Sequence, residues 1–289
     1  MIGKLRSARW LMLALPVAVL LAAPAGAASP QPSLYLALGD SVAAGVGAQP
    51  AASEGYVAEL HALLTAARRC GRGQALGCDL DLVNLAVPGA TTGTLISQQL
   101  PEAVRLLQER NGNSTPVDDV ELITIDIGGN DVFRPVLSAC ALPQAPSCLA
   151  AIQAALTQVA TNYQTILSAL RAAAGPDTTI AVMAYYNPLP ACQLSALTPL
   201  ADLVLEGGGP LPAGLNDIIR SQAAASDAVV AETAPLIGVD DLVGGTDCLH
   251  PNNSGHDDIA AAFAAVIDVA SIVGPPATGP PSASWPDTS

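Results

Sequence analysis

The sequence predicts an α/β domain whose parallel sheet is covered by helices on both faces. Three observations carry this. Short apolar runs stop at glycine, stretches of helical period lie between them, and no break in composition divides residues 29 to 273. Leu34 to Leu38 is the first such run and ends at Gly39. Gly55 to Arg69 then places Val57, Leu60, Leu63 and Leu64 on one helical face. Leu80 to Val87 is a second strand, stopped by Pro88-Gly89, and Thr94 to Arg110 is helical. Val120 to Ile127 is a third strand, stopped by Gly128-Gly129. Cys148 to Ala174 is a long helix closed by Gly175-Pro176, the usual order at a helix C-terminus. Thr179 to Tyr185 is a fourth strand, Gly214 to Ala225 a helix, Ala228 to Glu232 a short fifth strand and Gly255 to Val273 a closing helix.

The two ends read differently. Lys4, Arg6 and Arg9 precede an apolar run from Leu11 to Ala23, and Ala25-Gly26-Ala27 supplies small residues. Residues 1–27 therefore read as an export signal cleaved after Ala27. The run is short for a bilayer span and Pro16 interrupts it, so no stable membrane insertion is expected after cleavage. Residues 274–289 are rich in Pro, Gly and Ser and read as a disordered tail. That leaves 28–273 as one folded domain. The two tryptophans, Trp10 and Trp285, fall outside it.

Composition narrows the function. Hydrophobic residues make up 51% of the 289 and charged ones only 12%, which excludes a disordered chain. The formal net charge is −14. Three of the 11 basic residues and none of the 25 acids lie in the signal, so the mature chain carries −17. Nucleic acid is thus not an expected partner, and at 3% aromatics base stacking is not available. An anionic membrane surface is equally unfavourable. The expected product is a secreted monomer.

Export places the six cysteines in an oxidising compartment. Cys70 and Cys78 flank a Gly-rich stretch, and Cys140 and Cys148 flank ALPQAPS; both are short loops that can turn back on themselves. Cys192 then pairs with Cys248. A zinc site is disfavoured, because no C-x-x-C pair or matching His spacing occurs.

In parallel sheets ligands bind at the carboxyl ends of the strands. The loops there hold a set of reactive residues. The first strand runs into Gly39-Asp40-Ser41, the second into Pro88-Gly89-Ala90, and the third into Gly128-Gly129-Asn130-Asp131. Before the last helix stands Asp247-Cys248-Leu249-His250-Pro251. Acyl transfer needs a nucleophile, a base, a group to orient the base and donors for an oxyanion. Ser41 can present its hydroxyl and its own N–H. Gly89 can bring its N–H close to a substrate, and Asn130 can offer its side-chain amide. His250 can take the Ser41 proton, and Asp247, three residues before it and so within one turn, can hold the other ring nitrogen. His61 lies within a helix and His256 opens one, which leaves His250 as the base. Asp240 and Asp241 stand further from it than Asp247 does. Asp131 reads as a helix cap and Asp40 as a structural acceptor. Asp126 interrupts an apolar strand and needs a partner if buried.

Together GDS, the second-block glycine, GGND and DxxHP, in this order, resemble the SGNH (GDSL) hydrolase family, in its secreted bacterial lipase and esterase branch. The first block reads GDSV rather than GDSL. The resemblance implies a three-layer, flavodoxin-like α/β/α fold. It implies Ser41 as nucleophile, Gly89 and Asn130 as oxyanion donors, His250 as base, Asp247 as its orienter, and no metal or organic cofactor. The function expected is hydrolysis of carboxylic esters, with Val42, Val46, Phe133, Val136, Leu137 and Leu189 available to line an acyl pocket. The alternatives are a deacetylase acting on acetylated glycans and a non-catalytic secreted binding protein. The Pro- and Gly-rich 186–213 region permits a mobile loop.

Overall fold

The computed structural model describes residues 31–68, 79–140, 145–268 and 272, apart from the side chains of 135–137. The expected signal, the expected tail, both tryptophans and the expected Cys70–Cys78 pair lie outside the described residues. Five parallel strands form the central sheet: β1 (Ser33–Gly39), β2 (Leu80–Asn84), β3 (Val120–Asp126), β4 (Thr179–Ala184) and β5 (Val229–Glu232), in the order β2-β1-β3-β4-β5. That is the flavodoxin-like order, and it bears out the expected fold class. β1 is buried along its whole length, as a central strand covered on both faces must be.

Helices α1 (Ala51–Glu54) and α2 (Tyr56–Ala67) follow β1. α3 (Thr92–Gln98) and α4 (Leu100–Arg110) follow β2, α5 (Gly129–Ala139) and α6 (Pro146–Ala174) follow β3. α7 (Thr198–Glu206) and α8 (Leu215–Ala225) follow β4, and α9 (Asn253–Val266) closes the domain. α2 packs against α9, while α6 packs against α4 and α8 in the other helical layer. The Tyr56 ring stacks on Phe263 with centroids 5.2 Å apart and joins α2 to α9.

Five features depart from expectation. The helix expected over 94–110 is two helices that break at Gln99, because Pro101 has no N–H to continue the ladder. The closing helix ends at Val266. α5, hidden behind the GGND loop, and α7, in the region expected to be a loop, are both formed. A small antiparallel hairpin also precedes α9, made of β6 (Leu242–Gly244) and β7 (Asp247–Pro251).

The sheet order reverses at β1, since β2 lies on one side of it and β3 on the other. A crevice opens between the carboxyl ends of β1 and β3, where such sheets place their ligands.

Candidate active site

Ser41 stands just past the end of β1. Its Oγ lies 2.9 Å from His250 Nε2, and His250 Nδ1 lies 2.7 Å from Asp247 Oδ1. A carboxylate can only accept, so Nδ1–H donates to Asp247 and Nε2 is left to accept from Ser41. The three residues named from the sequence thus meet in one hydrogen-bonded line.

The local reason for the Asp247–His250 contact differs from the expected helical turn. Both residues lie in strand β7, where positions three apart normally face opposite sides. Leu242 pairs with Pro251 and Gly244 with Asp247, so one residue of β6 faces three of β7. The resulting bulge turns Asp247 and His250 toward each other. It is braced twice. The Tyr186 hydroxyl donates to Leu249 O at 3.0 Å, and Cys248 is bridged to Cys192 across a Cα separation of 5.0 Å. Cys140 and Cys148 form the second bridge among the described residues. The nucleophile turn packs directly on this bulge at Gly47. A Cβ there would run into the Pro251 carbonyl and stand 3.1 Å from His250 Cβ, so only glycine permits the approach.

Two carboxylates hold the nucleophile turn from below. Asp40 Oδ1 accepts from Val42 N–H at 3.0 Å, and Asp126 Oδ2 accepts from Ala43 N–H at 2.8 Å. Both residues are buried. Burial pushes the Asp40 carboxyl up to about 6, against the pull of its hydrogen bonds. Burial, and then the Asp40 charge, raises Asp126 well above the ordinary carboxylate range. Its Oδ1 has no partner among the described residues and fills the space a Gly39 side chain would need. Asp126 is thus a structural support of the nucleophile turn, a role not legible in its lone position within an apolar strand.

The oxyanion candidates converge in part. The N–H groups of Ser41 and Gly89 donate to no acceptor among the described residues. Asn130 uses its amide on Asp40 Oδ2 at 3.2 Å and on Ala90 O at 3.0 Å. These two acceptors fix which way the amide faces. Tyr185, unnoticed in the sequence, donates to the same Asp40 oxygen at 3.2 Å. Gln99 was also missed. Its side chain accepts from Gly39 N–H at 2.9 Å and donates to Gly39 O at 2.8 Å, anchoring the end of β1. Asp131 lies in the first turn of α5. It accepts from the Thr92 N–H and hydroxyl at the start of α3, at 2.9 and 2.6 Å.

The other histidines are structural. His256 is buried, with Nδ1 accepting from Tyr56 N–H at 3.2 Å and Nε2 donating to Val46 O at 3.1 Å. Burial lowers its pKa. His61 Nε2 lies 2.6 Å from Leu80 O.

Ser41 and His250 open into a cleft of about 820 Å³, measured to its open mouth. Val42, Phe133 and Leu189 line it as expected, and Val204 and Leu205 of α7 form a wall. The Val136 and Leu137 side chains lie outside the described residues, and Val46 sits instead on the turn that binds His256. Among the described residues no cluster of His, Cys, Asp and Glu could hold a metal ion, and no helix is long and apolar enough to cross a membrane.

A strand-end serine bonded to a histidine, which is bonded in turn to a carboxylate, is the geometry of a serine hydrolase. Residues 37–257 match the GDSL-like lipase/acylhydrolase family, and the chain belongs to it. No curated protein sequence matches the chain. Among solved structures it is similar to a lipase from a goat rumen metagenome, with 19% identity and a TM-score of 0.55 over 81% of this chain and 96% of that one. It is also similar to a catalytic mutant of an acetylxylan esterase from Geobacillus stearothermophilus, with 17% identity and a TM-score of 0.52 over 82% and 95%. At these identities the likeness concerns the fold.

Proposed function

We propose that the protein is an exported serine hydrolase that cleaves carboxylic esters with an acyl chain longer than acetyl. The observation that carries this reading is the line Ser41–His250–Asp247, with contacts of 2.9 and 2.7 Å, opening into a largely apolar cleft. Ser41 Oγ attacks the ester carbonyl while His250 Nε2 takes its proton. Asp247 holds the ring and stabilises the imidazolium. The oxyanion receives the N–H groups of Ser41 and Gly89. It also draws one Asn130 amide hydrogen away from Asp40 Oδ2, which keeps the Tyr185 hydroxyl as a donor. His250 returns the proton to the leaving alcohol, and a water activated by the same ring then releases the acid. Residues 1–27 act as the export signal, and the two disulfides among the described residues support an oxidising compartment.

The test is hydrolysis of p-nitrophenyl esters from acetyl to palmitoyl, with Ser41→Ala alongside. The expected result is a maximum beyond acetyl and a loss of roughly 10⁴-fold or more in Ser41→Ala. A maximum at acetyl would transfer the reading to a deacetylase. Activity indifferent to Ser41 would overturn it.

A further inference from the structure

Basic side chains are scarce in this protein, and among the described residues all but one are held by several acceptors. Six arginines fall among the described residues. Arg68 binds Glu121 and the carbonyls of Asp79 and Ile272. Arg105 is gripped by Glu102 and Glu109, and Arg220 by Glu206 and Glu232. Arg110 donates to two backbone carbonyls and Arg171 to four. Arg134 differs. It is exposed, and among the described residues its guanidinium makes one hydrogen bond, from Nη2 to Gly89 O at 3.2 Å. Four of its five N–H donors are thus open to a ligand.

Its place gives that freedom a use. Arg134 lies one helical turn after Asn130 on α5, and it touches the loop of the other oxyanion candidate, Gly89. A Cβ built on Gly89 would meet only Arg134 Nη2 within 4 Å, at 3.8 Å. Arg134 does not line the apolar cleft, although Asn130, Val132 and Phe133 of the same helix do. The cleft takes the acyl chain, so the alcohol extends outside it, where Arg134 stands beside the Gly89 loop. Within a chain of net charge −14, diffuse attraction for anions is absent. Among the described residues, Arg134 is the basic side chain placed to supply a preference for an anion.

We propose that Arg134 is a specificity residue that recognises an anionic oxygen group, phosphate or carboxylate, on the alcohol portion of the ester. The guanidinium fork matches either group in two parallel hydrogen bonds. The donor to Gly89 O is retained, so the bound anion is registered against the oxyanion loop. This proposal rests on the hydrolase reading above and adds the substrate class to it.

The experiment compares kcat/KM on three esters with the same acyl chain: butyryl glycerol, butyryl glycerol 3-phosphate and butyryl glycerate. Full-length mature enzyme is used as wild type, Arg134→Lys and Arg134→Gln. In wild type both anionic esters exceed the neutral one. In Arg134→Gln the anionic-to-neutral ratio falls about five- to tenfold, and Arg134→Lys keeps part of it. Loss confined to the phosphate ester or to the glycerate ester assigns the site to that anion. A ratio that Arg134→Gln leaves unchanged overturns the proposal, because damage to the Gly89 loop alone lowers all three rates together. Absence of Ser41-dependent hydrolysis on any ester would instead remove the hydrolase reading, and this proposal with it.

Discussion

Tyr185 and Asn130 donate to the same oxygen, Oδ2 of Asp40, each at 3.2 Å. The other Asp40 oxygen holds the turn that carries Ser41. One buried carboxylate therefore connects the nucleophile turn, an oxyanion candidate and the end of β4. Asp40 does this only as an anion, because all three partners are donors.

The pH dependence of turnover should report that charge. Asp40 faces Asp126 from β3, Asp131 from α5, His250 from β7 and the Tyr185 hydroxyl. Its carboxyl titrates at about 6, and the Tyr185 hydrogen bond holds it lower than burial alone would. Tyr185→Phe removes that bond, so protonation sets in at higher pH. The acidic limb of the kcat profile is expected to move upward in the variant. An unmoved limb would show that the Asp40 charge does not set it.

Asn130→Ala removes one of three proposed oxyanion donors. A fall of about 10²–10³-fold in kcat is expected, with KM within a few-fold of wild type. A change confined to KM would place Asn130 in substrate binding instead. Asp40→Asn should resemble it, since an amide has one accepting oxygen for three donors and leaves Asn130 free to turn.

Stability should also vary with pH. Asp40 and Asp126 both titrate higher in the folded chain than in the unfolded one. Their contribution is fully present below the unfolded value of about 4 and is lost as pH rises through about 6 for Asp40 and further for Asp126. His256 works in the opposite sense. Its lowered pKa costs stability as pH falls below its unfolded range. Asp126→Asn removes one carboxylate and leaves His256 alone. The melting temperature of the variant, relative to wild type, should therefore rise between pH 4 and pH 8, by roughly 3–8 °C. A difference constant across that range would contradict the assignment.

The Cys192–Cys248 bridge joins the catalytic bulge to a segment that begins at Pro188 and Leu189, both of which line the cleft. Replacing both cysteines by alanine should lower kcat and raise KM most for long acyl esters, because base and cleft wall loosen together. Equal effects on acetyl and longer esters would show that the bridge serves stability alone.

Strand ends and chemical motifs were legible because they are local. Gly39-Asp40-Ser41 and Gly128-Gly129-Asn130 combine a stop to an apolar run with residue types that few turns need together. Ser41, Asn130, Asp247 and His250 could be named from such patterns, and the sheet was readable from its buried runs. α7 was not, since Pro199 and the neighbouring glycines give it the composition of a loop, and packing of Leu200, Val204 and Leu205 overrides that signal. The meeting of Asp247 with His250 was expected for the wrong local reason, because only pairing with β6 creates the bulge that turns them together. Tyr185, Gln99 and Arg134 carry no motif. Their roles arise from Asp40, Gly39 and Gly89, at least 45 residues away in the chain. Residue chemistry thus defined which groups could react. Tertiary packing decided which partners orient them, because a hydrogen bond depends on a separation of about 3 Å in space, whatever the separation in sequence.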